Sequence, residues 1–159
     1  MRTARSNWEA LLAEAGEARL TEAGVEGDWS LKDIIGHIAY YETWAADNLT
    51  AIQRGEPPPQ SEYNGLELDE RNAHIYGRNR GKTLAEVLRE AQISFQRSIE
   101  SVQGLHDNDL YDLEFTRPSG VEWTIHDLLA GDSYEHYQEH FTSARAWLAR
   151  VEHKGTTNS

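Results

Sequence analysis

The 159-residue sequence contains no cysteine, one methionine and four prolines. Without cysteine there are no disulfides, no thiolate metal ligands and no cysteine nucleophile, so any thiol chemistry needs an external thiol. Basic residues are scarce as well. Fifteen Lys and Arg stand against 27 Asp and Glu, for a net charge of −12 and a pI of about 4.9. Such a chain repels a phosphate backbone, and no Lys/Arg cluster makes a local exception, which excludes nucleic-acid binding as the main role. No run approaches the ~20 apolar residues of a membrane span. The start, MRTARSNWEALL, has no apolar signal core, and the expected location is the cytoplasm. What is present is ordinary for a globular protein: 38% hydrophobic and 26% charged residues, enough for one substantial core. A single domain is expected over residues 1–152, with a flexible tail over 153–159.

Four long segments carry helical periodicity, and the expected fold is an all-α four-helix bundle. The first, about residues 6 to 23, puts Trp8, Leu11, Leu12 and Ala15 on one stripe. The second opens at Trp29-Ser30, with Ser30 as N-cap and Asp33 at the acidic position of a capping box, and stops near Gly55 and Pro57-Pro58-Pro59. The third covers about 83 to 104, capped by Thr83. The fourth runs from Thr124 to about Val151. Between them lie two long polar connections, 55–82 (with a short helix near Leu66 to Tyr76) and 105–122, long enough to cover a functional end. No stretch demands a strand. The segments WSLKDII (29–35) and WTIHDLL (123–129) match in pattern and read as equivalent helix entries at one end of the bundle.

Seven histidines are present. His106 and His153 sit in polar surroundings, His126 in the first turn of the fourth helix, and His74 in a connection. His37, His136 and His140 differ. In SYEHYQEH (133–140) the last two histidines are four residues apart on the stripe that carries Leu129, Ser133, Ala144 and Trp147. Such a pair stacks on one helical face with Cβ atoms ~6 Å apart. His37 borders the buried stripe of the second helix. Two readings follow from spacing: hydrogen-bonded core histidines, or imidazole ligands to a metal reached at ~2.0–2.1 Å.

WSLKDIIGHIAYYE, with its histidine eight residues after the Trp, and EHYQEH in the final helix together resemble the DinB-like superfamily. The nearest subgroup is the one with colibactin self-resistance-type proteins. The resemblance covers most of the chain. It implies an up-down-down-up bundle with a long crossover between helices 2 and 3. It also implies a divalent metal (zinc, nickel or manganese) held by His37, His136 and His140 with positions open to water or substrate, and in some members a low-molecular-weight thiol.

Asp132 lies one turn before His136 and is the candidate general base or acceptor for an imidazole N–H, with a fourth ligand or a mere pocket-mouth residue as alternatives. Tyr40, Tyr41, Trp44 and Tyr137 are candidate substrate-binding residues, against the plainer reading that aromatics at this spacing fill the core. The expected activity is thiol transfer to, or hydrolysis of, a small electrophile. The alternatives are a non-catalytic binding or sequestering protein and a purely structural helical module. The resemblance also implies a homodimer, to which Trp8 and Trp147 add support if either ring faces outward; the alternative is that both rings finish the core.

Overall fold

The structure, a computed structural model, describes the backbone of residues 1–157 and side chains through residue 153. Beyond His153 the expected tail lies outside the described side chains. The chain is mostly helical, with one small two-stranded sheet.

Helix α1 (Arg2–Ala15) buries Trp8, Leu11 and Ala15. It ends eight residues before the periodicity predicts, because Gly16 takes φ 78°, a left-handed-side conformation that breaks the ladder. The released segment forms a hairpin of β1 (Ala23–Glu26) and β2 (Trp29–Ser30), with Glu26 opposite Trp29 across a two-residue Gly27-Asp28 link. This strand pair was not expected. Ser30 then caps α2 (Leu31–Gln53) in a full capping box with Asp33. Helix α3 (Leu68–Arg80) lies in the first connection, and α4 (Leu84–Val102) starts from a Thr83–Glu86 capping box. The second connection contains short turns and the single-turn α5 (Leu113–Thr116).

The fourth predicted helix is not uniform. Thr124 and Asp127 box the start of α6 (Ile125–Leu129), a π turn follows over Ala130–Tyr134, and α7 runs Glu135–Thr157. The wider π turn interrupts the ideal α spacing just before the histidine pair.

Two apolar clusters hold the elements together. One gathers Trp8, Leu11, Leu31, Ile34, Trp147 and Leu148, and the other gathers Ala45, Leu49, Ile125, Leu128 and Leu129. Each fully buried Leu or Ile contributes about 1.5–3 kcal/mol relative to exposure. The start of α2 therefore packs with the end of α7, while the end of α2 packs with α6. The two Trp-led helix entries sit at opposite ends, correcting the expectation that they share one. Trp8 and Trp147 are 2% and 3% exposed. Both belong to the core, so the outward-facing ring that would support a dimer is absent.

Polar links tie the layers. Ser94 Oγ donates to Glu42 Oε2 (2.7 Å), and Ser98 Oγ to the Glu42 carbonyl (3.1 Å), joining α4 to α2. Arg5 Nη1 donates to the Tyr137 hydroxyl (2.9 Å), and Arg145 to Glu14 (2.6 Å), joining α1 to α7. Helix α3 is seated on α2 at Gly36, where an added Cβ would lie 2.7 Å from Asn79 Nδ2. The missing side chain at Gly36 lets α3 come close, which holds Arg71 and Asn72 over the middle of α2.

Candidate metal centre

His37 on α2 and His136 and His140 on α7 converge. Their ligand atoms all lie within 4.8 Å of one another, and the Nε2 atoms of His37 and His136 are 2.9 Å apart. The ring centroids are 4.7 to 5.2 Å apart, each pair set at an angle rather than stacked flat. Two nitrogens bound to one ion at ~2.0–2.1 Å each are at most ~4.2 Å apart, so the observed 2.9 Å pair meets that limit.

Three of the six imidazole nitrogens have no partner, and two more meet only each other. His37 Nδ1, His136 Nδ1 and His140 Nε2 are buried with no hydrogen-bond partner. Each such orphan costs about 1–3 kcal/mol in a sealed core. His140 is the oriented member. Its Nδ1 lies 2.9 Å and 3.1 Å from the two carboxylate oxygens of Glu26, which directs Nε2 inward. A carboxylate on the outer nitrogen of a histidine is the usual support for a metal-binding imidazole.

The electrostatics keep the lone pairs available. Burial, followed by the neighbouring His136 and His140, lowers His37 to about 2. Burial and His140 lower His136 to about 4, with Glu26 opposing. Burial raises the Glu26 carboxyl, but the hydrogen bond and charge of His140 outweigh it and hold it below its ordinary value. At neutral pH His37 and His136 are uncharged, as ligation requires. The three-histidine group could hold a divalent cation, which would take up the orphaned His140 Nε2 together with the His37 and His136 Nε2 atoms that now meet each other.

A cavity of about 330 Å³ opens on this group, lined by Glu26, Trp29, His37, Asp69, Asn72 and His140 among others. Trp29 packs its edge against His37 (5.2 Å), so the residue before the cap serves as a wall of the centre. Tyr41 packs edge-on against His37 (5.0 Å) and His136 (5.1 Å), and its hydroxyl donates to Asn72 Oδ1 (3.0 Å). Tyr41 also lines a second cavity of about 790 Å³, together with Tyr40, Trp44, Arg71 and Asp132.

A family model described as the DinB superfamily matches residues 1–151. The chain belongs to the DinB superfamily. No curated protein and no solved structure matches it.

Within this DinB chain the expected site residues separate into groups. The three histidines and Tyr41 come together. Tyr40 and Trp44 line the larger cavity, with the Tyr40 hydroxyl 3.0 Å from Ser61 Oγ. Asp132, in the π turn, also faces that cavity. Among the described residues it makes no hydrogen bond to a triad imidazole. Burial, opposed in part by Arg71, raises its carboxyl to about 6. Tyr137 lines neither cavity. It is 2% exposed, packs against Trp8, and donates its hydroxyl to Glu42 Oε1 (2.7 Å). Glu26, Asn72 and Arg71 went unnoticed in the sequence. For Glu26 one signal existed, the Gly27-Asp28 dipeptide that marks a two-residue hairpin.

Proposed function

We propose that the chain is a metal-dependent enzyme acting on a small electrophilic molecule, by thiol transfer or hydrolysis, at His37, His136 and His140. The observation that carries this reading is the convergence of three imidazoles, the two buried ones (His37 and His136) held neutral, with nitrogens that no protein group satisfies. A divalent cation there (zinc, nickel or manganese) would supply positive charge that polarises an electrophile and favours the deprotonated form of a water or a low-molecular-weight thiol. The chain's own residues do the rest. Glu26 fixes the His140 ring, Tyr41 and Asn72 form the wall between the two cavities, and Tyr40, Tyr41 and Trp44 bind the substrate body. Asp132, its carboxyl raised by burial, lines the larger cavity and would exchange a proton with the part of the substrate held there.

The up-down-down-up order is part of the same proposal. Supporting it, Glu42 and Gln53 of α2 meet Ser94 and Ser101 of α4, and Arg5 and Glu14 of α1 meet Tyr137 and Arg145 of α7. Kinship with the colibactin self-resistance-type subgroup and a cytoplasmic location are likewise proposals. The described helices include none long and apolar enough to cross a membrane. A homodimer would need a surface other than Trp8 and Trp147, such as the exposed Leu88 and Ile93 of α4.

A binding-only reading draws on one observation: none of the three histidines lines the larger cavity. Turnover separates the two. Metal-loaded protein should consume an activated electrophile faster than chelator-treated protein, with or without added thiol. Equal rates in both preparations would sink the enzymatic reading.

A further inference from the structure

The larger cavity holds a cation that the metal centre does not use. Arg71 stands in the first turn of α3, on the cavity wall. Its Nε is buried and has no hydrogen-bond partner, Nη2 makes a long 3.4 Å contact to the Leu66 carbonyl, and the rest of the guanidinium interacts with the Tyr41 hydroxyl. An arginine fork normally meets a carboxylate or phosphate with two parallel N–H bonds. Asp132 lines the same cavity, but no ion pair joins the two within 4.0 Å among the described residues. The rest of the lining offers aromatic faces, including Tyr40, Trp44 and Trp123.

We infer that this cavity is a carboxylate-binding subsite, in which Arg71 grips the carboxylate of a small organic acid and the aromatic rings cover its apolar body. An unpartnered guanidinium N–H in a partly apolar chamber is a high-stakes donor: satisfied by an oxyanion it rewards binding, and left alone it costs stability. A planar monoanion fits better than a phosphate. Asp127 and Asp132 also line the chamber and would repel a doubly charged group. The inference extends the metal reading, since it gives the substrate an anionic handle, yet the subsite does not need the cation.

Trp44 and Trp123 report on the cavity directly. Tryptophan fluorescence is titrated with cyclohexanecarboxylate, its neutral carboxamide and inorganic phosphate, in chelator-treated and in zinc-loaded protein. The expected result is a saturable response to the carboxylate, about tenfold or more tighter than to the carboxamide, present with and without zinc. Arg71→Gln should weaken carboxylate binding by a similar factor, with Arg71→Lys retaining part of it. The carboxylate-to-carboxamide comparison uses wild-type protein, so it stands whether or not the variants fold. Equal affinity for carboxylate and carboxamide overturns the inference, as does unchanged binding in a folded Arg71→Gln variant. Tighter binding of phosphate than of carboxylate overturns the assigned class. A response seen only with zinc also overturns it, because the carboxylate would then be binding the cation and not the guanidinium.

Discussion

Lowering the pH of metal-free protein from 8 to 5 should destabilise it through His37 and His136. The unfolded chain takes up these protons near the ordinary ~6.5, whereas the folded chain resists until about 4 at His136 and about 2 at His37. Between those values the unfolded state holds more protons, so stability is fully present above ~6.5 and is lost as pH falls. At pH 5 each histidine has given up about 2 kcal/mol, about 4 kcal/mol together. Asp132 works the other way. Its folded carboxyl stands at about 6, above its unfolded value, so protonation between those limits favours the fold by about 1 kcal/mol at pH 5. Glu42, also pushed up by burial, acts in the same direction. The net loss is therefore about 2–3 kcal/mol, a fall of roughly 1 M in the urea midpoint at a typical slope. Urea unfolding in chelator at the two pH values measures it. His136→Asn should lose about half of the histidine contribution. If wild type and variant show the same pH dependence, the buried imidazoles are not its source.

Two other perturbations test the support of the site. Glu26→Ala removes the acceptor that orients His140 and should weaken metal binding about 10- to 100-fold, read by competition with a chromophoric chelator; affinity equal to wild type would remove Glu26 from the centre. Gly36→Ala places a Cβ against Asn79 and should cost about 1–3 kcal/mol in urea unfolding, because α3 must lift off α2. A variant as stable as wild type would show that Asn79 moves aside freely.

Local signals in the sequence carried far. Ser30 with Asp33, Thr83 with Glu86 and Thr124 with Asp127 are caps, decided within four residues, and each forms a full capping box. The i, i+4 spacing of His136 and His140 and the stripe position of His37 turned all three inward, since helical phase is periodic, and the resemblance to the DinB-like superfamily joined them across two helices. What failed depended on tertiary contact or broken periodicity. Glu26 reaches His140 across 114 residues, through a hairpin too short to show an alternating strand pattern. The π turn takes Asp132 away from the simple one-turn relation to His136 that an ideal helix gives. Tyr137 adjoins a triad member in sequence, but one step along a helix turns a side chain by about 100°, and here that direction faces Trp8 and Glu42. Trp8 and Trp147 show the same limit: periodicity places a ring on a face, and only packing tells whether that face is covered.

The most direct test of the account is the metal content of protein purified without a histidine tag. Wild type and His126→Ala should each retain close to one divalent ion per chain, since His126 instead meets the Tyr134 hydroxyl at 2.9 Å, away from the triad. His37→Ala, His136→Ala and His140→Ala should each lose most of it. Equal metal content across wild type and all four variants, with folding intact by circular dichroism, would contradict a three-histidine metal centre.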